Sequence, residues 1–336
     1  MRDSGILGPT KEGPVRKRLI SIAAALVAAL AWYANSKLPD GFWQHLPLGG
    51  GAGGTLAGAP PIERSGNTVR VASFNIQVFG EKKLANTQAA DLLARVARYF
   101  DVVAIQEIRD ASDDLLPRFL ELVNADGSHY DYVIGPRLGR TNSKEQYAFI
   151  YNAASVECDR QNVYTVDDPD DLLHREPLVA GFRVRGPPPD RAFTFTLIDI
   201  HTDPDEAQAE LNVLDDVFRA VRDDGRGEDD IILLGDLNAD DRHLGELGQV
   251  AYITWVISGV PTNTRGTHLY DNILFDSRTT VEYARHAGVF DLMHEFHLSL
   301  QQALAVSDHL PIWAEFSLEE GGGAALAAGV RPENLR

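Results

Sequence analysis

A single cysteine, Cys158, is all the chain carries, so no internal disulfide can staple it. Cys158 reads as a small buried hydrophobe, and its solitude leaves the compartment open, because many exported proteins lack disulfides. Positive charge is also scarce: 31 Lys and Arg stand against 49 Asp and Glu, a formal net charge of −18. Such a chain has no general attraction for nucleic acid or for anionic membranes. A phosphate-bearing substrate would need local cations to offset the repulsion. No internal repeat is visible. Long apolar runs are missing save one, Leu19 to Ala34, broken only by Ser21. It falls short of the roughly 20 residues an ideal membrane span needs.

Arg16-Lys17-Arg18 precede that run. Basic residues before an apolar stretch mark a signal peptide or an anchor with its basic side in the cytoplasm. Ala29-Leu30-Ala31 offers a small-x-small cleavage site, whereas Trp32 and Tyr33 would suit the interface of an uncleaved anchor. The expectation is export, to a periplasmic or secreted location or to the outer side of a membrane held through residues 19–34. Residues 1–18 are then a basic segment, 19–34 the signal or anchor, and 35–66 a linker rich in glycine and closed by Pro60-Pro61. A folded domain spans 67–318, with 319–336 a tail containing a triple glycine. At 44% hydrophobic, the chain can bury a sizeable core.

The domain is organised around Ile231-Ile232-Leu233-Leu234-Gly235-Asp236-Leu237-Asn238. Four apolar residues predict a buried strand. In extended backbone, residues two apart point the same way, so Asp236 and Asn238 would face one spot at a sheet mouth. A turn is the plainer reading of the same residues. Elsewhere, strands are expected at 68–74, 102–105, about 130–135, 147–151, 178–184, 193–200, 269–275 and 311–316. Helices are expected over 84–100, capped by Asn86 or Thr87, from Ser112 through Val123, and from Pro204 with Leu211, Leu214, Phe218 and Val221 on one side. Several strand pairs have no helix between them. That favours α/β architecture with two packed mixed sheets and outer helices.

Polar residues gather at the strand ends: Asn75, Glu107, His201, Asp236, Asn238, Asp271, and Asp308 with His309. Any one alone would be read as a turn or helix cap. Eight polar residues at six strand ends suggest a site, because open sheets place their sites at such ends.

These residues lie in Ser73-Phe74-Asn75-Ile76, Gln106-Glu107-Ile108-Arg109-Asp110, Leu138-Gly139-Arg140 with Lys144-Glu145, Arg175-Glu176-Pro177, Asp199-Ile200-His201, Gly235-Asp236-Leu237-Asn238, Tyr270-Asp271 and Ser307-Asp308-His309. In that order they resemble the endonuclease/exonuclease/phosphatase superfamily, and within it the deoxyribonuclease I branch. The resemblance implies a four-layer α/β/β/α sandwich and divalent-metal hydrolysis of DNA phosphodiesters with little sequence preference, leaving 5′-phosphate and 3′-hydroxyl ends. It implies that His309, oriented by Asp271, acts as general base on water. His201, paired with Glu145, would be general acid at the leaving oxygen. The two roles could be exchanged. Glu107 would hold Mg²⁺ or Mn²⁺, with Asn75, Asp236, Asn238 and Asp308 completing or bordering the site. Oxygen-rich, sulfur-free ligation suits such hard cations better than zinc. Arg109, Arg140 and Arg175, with Asn75, would contact the phosphate backbone. A monomer is expected.

The chain also departs from that pattern. Ser143 stands where the family packs a tyrosine into the minor groove, and Gln77 stands for an arginine past Asn75. The family's two disulfides cannot form. An acidic loop bearing Asp168 and Asp170, with Glu176 after it, lies where the family has a structural Ca²⁺ site; a plain solvated loop is the alternative. Two other functions compete. One is a phosphodiesterase on lipid or inositol phosphate head groups, sphingomyelinase-like, which a membrane anchor would suit. The other is a binding domain that kept the fold, against which the intact Glu145/His201 and Asp271/His309 pairs argue.

Overall fold

The computed structural model describes residues 67–140 and 144–322. The expected segments 1–18, 19–34 and 35–66, Ser143, and residues 323–336 lie outside the described residues. Among the described residues, thirteen strands, numbered in chain order, build two sheets. The first holds β1 (Thr68–Phe79), β2 (Val102–Ile108), β3 (Tyr130–Ile134), β4 (Gln146–Asn152), β12 (Tyr283–Val289) and β13 (Ile312–Ser317), in the order β12-β13-β1-β2-β4-β3. The second holds β5 (Val156–Cys158), β6 (Tyr164–Thr165), β7 (Leu178–Val184), β8 (Thr194–His201), β9 (Ile231–Asp236), β10 (Ile253–Trp255) and β11 (Asp271–Asp276). Its order is β10-β11-β9-β8-β7-β5, with β6 on β7. Each sheet has one parallel pair, β1–β2 and β8–β9, and the other pairings are antiparallel.

A parallel pair needs a crossover, and helices supply both. Between β1 and β2 run α1 (Glu81–Ala85) and α2 (Thr87–Ala97); between β8 and β9 run α4 (Ala207–Leu211) and α5 (Leu214–Arg222). The remaining helices are α3 (Leu115–Val123), α6 (Leu292–Phe296) and α7 (Leu300–Val306). Three apolar clusters define the layers. Phe149, Phe182, Phe195, Leu234 and Phe316 belong to the one between the sheets. Leu92, Val96, Phe119 and Val306 join the outer face of the first sheet. Leu211, Leu214, Phe218 and Val221 join that of the second. The arrangement is the expected α/β/β/α sandwich. Among the described residues, no helix is long and apolar enough to cross a membrane.

Several local expectations change. The helix expected over 84–100 is two, because Asn86 ends α1 and then caps α2 by accepting from Ala89 N–H. The helix from Pro204 is likewise broken at Asn212–Val213, although all four expected apolar residues are buried. Ser112 caps nothing: its N–H and hydroxyl both donate to Asp110, and α3 starts at Leu115. The first residues of the expected tail pack on the domain, where Glu319 bridges Ala192 and Leu318 O accepts from Phe193 N–H. Cys158 sits half-buried on β5, and burial pushes its thiol up to about 12, so it is inert at neutral pH.

Candidate active site

Strand register assembles the first three residues. On β9, Asp236 lies opposite His201 of β8 on one side and Asp271 of β11 on the other. Three neighbouring strand ends thus present an imidazole and two carboxylates in a row. Gly235 permits this closeness: its φ is +151°, and a Cβ there would meet Ile200 O of β8 at 1.8 Å. No side chain fits against that backbone. The other sheet contributes Asn75 from β1 and Glu107 from β2, and the loop before β13 contributes Asp308 and His309.

The two histidines face one carboxylate. His201 Nδ1 lies 2.7 Å from Glu145 Oε1, and His309 Nδ1 lies 3.0 Å from Asp271 Oδ2. Their Nε2 atoms lie 3.5 and 3.4 Å from the same atom, Asp236 Oδ2. Each imidazole therefore has a carboxylate behind it and turns its other nitrogen to a common point. Burial works to lower both histidines, but the carboxylates outweigh it. Glu145 and Asp236 hold His201 above the usual value, and Asp271, Asp236 and Asp308 hold His309 well above it. Burial works to raise Glu145, yet His201, Arg175 and Arg109 keep it below the usual carboxylate range.

Asn75 bridges the two halves of the site. Its amide donates to Asp236 Oδ2 at 3.0 Å and to Glu107 Oε1 at 3.2 Å, while its carbonyl oxygen accepts from Gln77 N–H. In this arrangement its amide orients two carboxylates. Asn238, with φ +46°, donates its amide to Thr202 O, and its N–H donates to Asp236 Oδ1. Glu107 also has left-handed backbone, φ +62°, opposite a bulge in β1 where Gln77 and Val78 have φ +38° and +52°. Four such non-glycine residues cost roughly 1–3 kcal/mol each, a strain found mainly where function needs it. Val78 N–H donates to Glu107 Oε2, which fixes the carboxylate.

The donor set fits a hard divalent cation. Glu107 and Asp308 are close enough that Glu107, after burial itself, raises the Asp308 carboxyl above the usual range. Asp308 Oδ1 is buried without a hydrogen-bond partner. An orphaned carboxylate oxygen beside a second carboxylate, with no sulfur ligand near, is what Mg²⁺ or Mn²⁺ chemistry requires. Of the acidic and histidine side chains, those at this site that converge most tightly are Asp236, Asp271 and His309, rather than the Glu107 group. Lys83, which no motif signalled, lies beside Glu107 and Asp308; burial pulls it down to about 8 against their opposing pull. Its ammonium donates to Ile76 O, Gln77 O and Val306 O, tying the end of β1 to α7 just before Asp308.

The three arginines have different surroundings. Arg109 lies 3.0 Å from Glu107 Oε2 and 3.4 Å from Glu145 Oε2; its side chain is 29% exposed, while its Nε is buried without a hydrogen-bond partner. Arg175 is 4% exposed and lies under the site, donating to His201 O and contacting Glu145 Oε1 at 3.0 Å. It supports that pair from beneath instead of meeting a phosphate at the surface. Arg140 pairs with Asp171 and Glu206 and donates to Leu173 O, so it secures a loop. Asp168, Asp170 and Glu176 do not converge as a cation-binding group; Asp168 Oδ2 instead accepts from Leu173 N–H, inside its own turn. Ser143 lies outside the described residues.

Other supporting residues also escaped the sequence. Thr262 donates to Asp271 Oδ2 at 2.6 Å, and Tyr147 bonds the His201 backbone through its hydroxyl. A cleft of about 640 Å³, lined by Asn238, His243, His268 and Tyr270 among others, opens beside the histidines. Tyr270 and His268 stack at 5.2 Å and form one wall.

A profile of the Endonuclease/Exonuclease/phosphatase family matches residues 72–309. Deoxyribonuclease gamma of Rattus norvegicus is 32% identical over 269 residues, covering 75% of this chain and 85% of that protein. Deoxyribonuclease-1-like 1 of Sus scrofa is 35% identical over 261 residues, covering 74% of this chain and 81% of that protein. A solved structure of humanized D. rerio TDP2 aligns with a TM-score of 0.53 at 16% identity, over 75% of this chain and 99% of that one, a likeness of fold.

Proposed function

Because this chain belongs to the endonuclease/exonuclease/phosphatase family, we propose that it is a divalent-metal-dependent endonuclease hydrolysing DNA, with 5′-phosphate and 3′-hydroxyl products. The observation that carries the mechanism is the pair of carboxylate-backed imidazoles whose Nε2 atoms both face Asp236 Oδ2. The substrate class rests on the relatives named deoxyribonucleases.

Hydrolysis needs a water deprotonated on one side of phosphorus and a proton delivered on the other. His309, its Nδ1–H held by Asp271, takes the water proton at Nε2 in its neutral form, which a cation held by Glu107 with Asp308 would favour against the carboxylates that raise its pKa. Protonated His201, stabilised by Glu145, gives its Nε2 proton to the leaving 3′ oxygen. Asp236 lies between the two Nε2 atoms. The partly exposed Arg109 guanidinium meets a phosphate oxygen, and Arg175 holds Glu145 and the His201 backbone in place. A cation held by Glu107 with Asp308 would neutralise charge on the phosphate and the leaving oxygen.

Plasmid cleavage should vanish in EDTA and return with Mg²⁺ or Mn²⁺. His201→Ala and His309→Ala should each lower kcat by roughly 10²-fold or more, the scale of positioned acid–base catalysis. Full cleavage in chelator, or a near wild-type rate for either variant, would sink the mechanism. Sphingomyelin and RNA assayed in parallel test the substrate class. Export remains part of the proposal, supported by the basic cluster and apolar run at 16–34.

A further inference from the structure

At the far end of β9 from Asp236, three carboxylates meet where the two sheets come together. Asp230 immediately precedes β9, Glu282 immediately precedes β12, and Glu320 follows β13. Carboxylate oxygens of the three lie within 4.8 Å of one another. Six strand residues separate this point from the histidines, about 20 Å at the usual rise.

The surroundings do not neutralise them. Asp230 and Glu282 are 3% and 1% exposed, and among the described residues no lysine or arginine pairs with any of the three. Asp230 Oδ1 and Glu282 Oε2 are buried without a well-formed hydrogen bond, and the buried Thr280 hydroxyl is aimed at the Asp230 carboxyl. The partners that do exist hold the cluster in shape. Glu282 accepts from Gly321 N–H, and Glu320 Oε1 accepts from Thr194 N–H of β8 at 2.8 Å. Glu228 and Asp229 add further negative charge next to Asp230. Burial first, and then Glu282, push the Asp230 carboxyl up to about 9, a measure of how poorly the site tolerates its own charge.

We propose that Asp230, Glu282 and Glu320, with the Thr280 hydroxyl, form a Ca²⁺ site that clips the two sheets together at the end opposite the reaction centre. All donors are oxygen, and Glu320 on the exposed side leaves room for water ligands. Ca²⁺ accepts six to eight oxygens in irregular geometry, whereas Mg²⁺ demands a near-ideal octahedron and zinc prefers nitrogen or sulfur. A bound Ca²⁺ converts mutual repulsion into attraction between the start of β9, the entry to β12 and the segment after β13. It would act as a staple in a chain that has no disulfide. The inference stands apart from the proposed activity, since none of these residues is near the histidines.

The test is calorimetric titration of the full chain with CaCl₂, alongside thermal unfolding in Ca²⁺ and in EGTA. Glu320→Gln should weaken one Ca²⁺ site by about tenfold or more, because ligand charge sets affinity in such sites. Asp230→Asn should remove one equivalent of bound Ca²⁺ and the corresponding rise in unfolding temperature. In EGTA, Asp230→Asn should unfold at or above the wild-type temperature, because the repulsion is relieved; loss of a mere structural contact would lower it. Both variants should retain plasmid cleavage in Mg²⁺. Unchanged Ca²⁺ stoichiometry and affinity in both variants would overturn the site. So would an Asp230→Asn chain destabilised equally in Ca²⁺ and EGTA. Should Asp230→Asn fail to fold, the exposed Glu320→Gln decides alone.

Discussion

At the scale of the residue, charge and burial determine which groups can act. His201 is held above its usual value against its own burial by Glu145 and Asp236. Glu145→Gln keeps an acceptor for Nδ1–H but removes the negative charge, so His201 should lose its proton at lower pH. The alkaline limb of the pH–rate profile should shift downward, and kcat should fall by roughly tenfold or more. An unmoved limb would remove His201 from the acid role. Asp199 presents the opposite case. It is fully buried, accepts from Gln106, and burial raises its carboxyl well above the usual range. In the unfolded chain it ionises near its ordinary value, about 4. Its penalty on stability is therefore absent below that pH and grows as pH rises toward the folded value. Asp199→Asn, which retains the acceptor, should flatten the fall of Tm as pH rises above about 4. An Asn variant with an unchanged slope would mean that Asp199 is not the source. Neither Gln106 nor Asp199 drew notice in the sequence as a pair, because their contact joins positions 93 apart on different sheets.

At the scale of the element, the end of β9 is the most constrained piece of the fold. The run Ile231–Leu234 was readable as a buried strand because it is apolar throughout, and all four residues are at most 1% exposed. The register that sets Asp236 between His201 and Asp271 was not readable, since pairing depends on partners far along the chain. Gly235→Ala should cost about 3 kcal/mol or more, because the clash is with the backbone of β8 and cannot be relieved by a rotamer. A Gly235→Ala protein with near wild-type Tm and activity would contradict this placement. Helix lengths were overestimated for a related reason. Apolar spacing continues across Asn86 and across Asn212–Val213, while the chain bends there to follow the sheet.

At the scale of the whole molecule, the net charge of −18 frames how a polyanion could bind. Three arginines seemed available for phosphate, but Arg175 is buried and Arg140 is occupied by Asp171 and Glu206. Arg109 is the one of these with a partly exposed guanidinium at the site. Affinity for duplex DNA should therefore fall only gently with salt, with a logarithmic slope of about one or two in magnitude. A slope near that of a protein with many phosphate contacts would show that other cationic residues carry binding. Ser143→Tyr, measured on duplex and single-stranded oligonucleotides, should improve kcat/KM on duplex selectively; an equal gain on both would mean that position 143 does not meet the groove.

Sequence alone determined the layers and the chemical inventory. Buried strands and amphipathic helices announce themselves locally through apolar pattern, and the residues of the site are carried in short motifs at strand ends. Only the tertiary structure gave the implied imidazole–carboxylate pairs their geometry, set Asn75 between Asp236 and Glu107, and placed Arg175 beneath the site. It alone brought Asp230, Glu282 and Glu320 together. Those relations depend on sheet register and on contacts between positions tens to hundreds of residues apart. No local pattern encodes such contacts, because their energy is realised only when both sheets have formed.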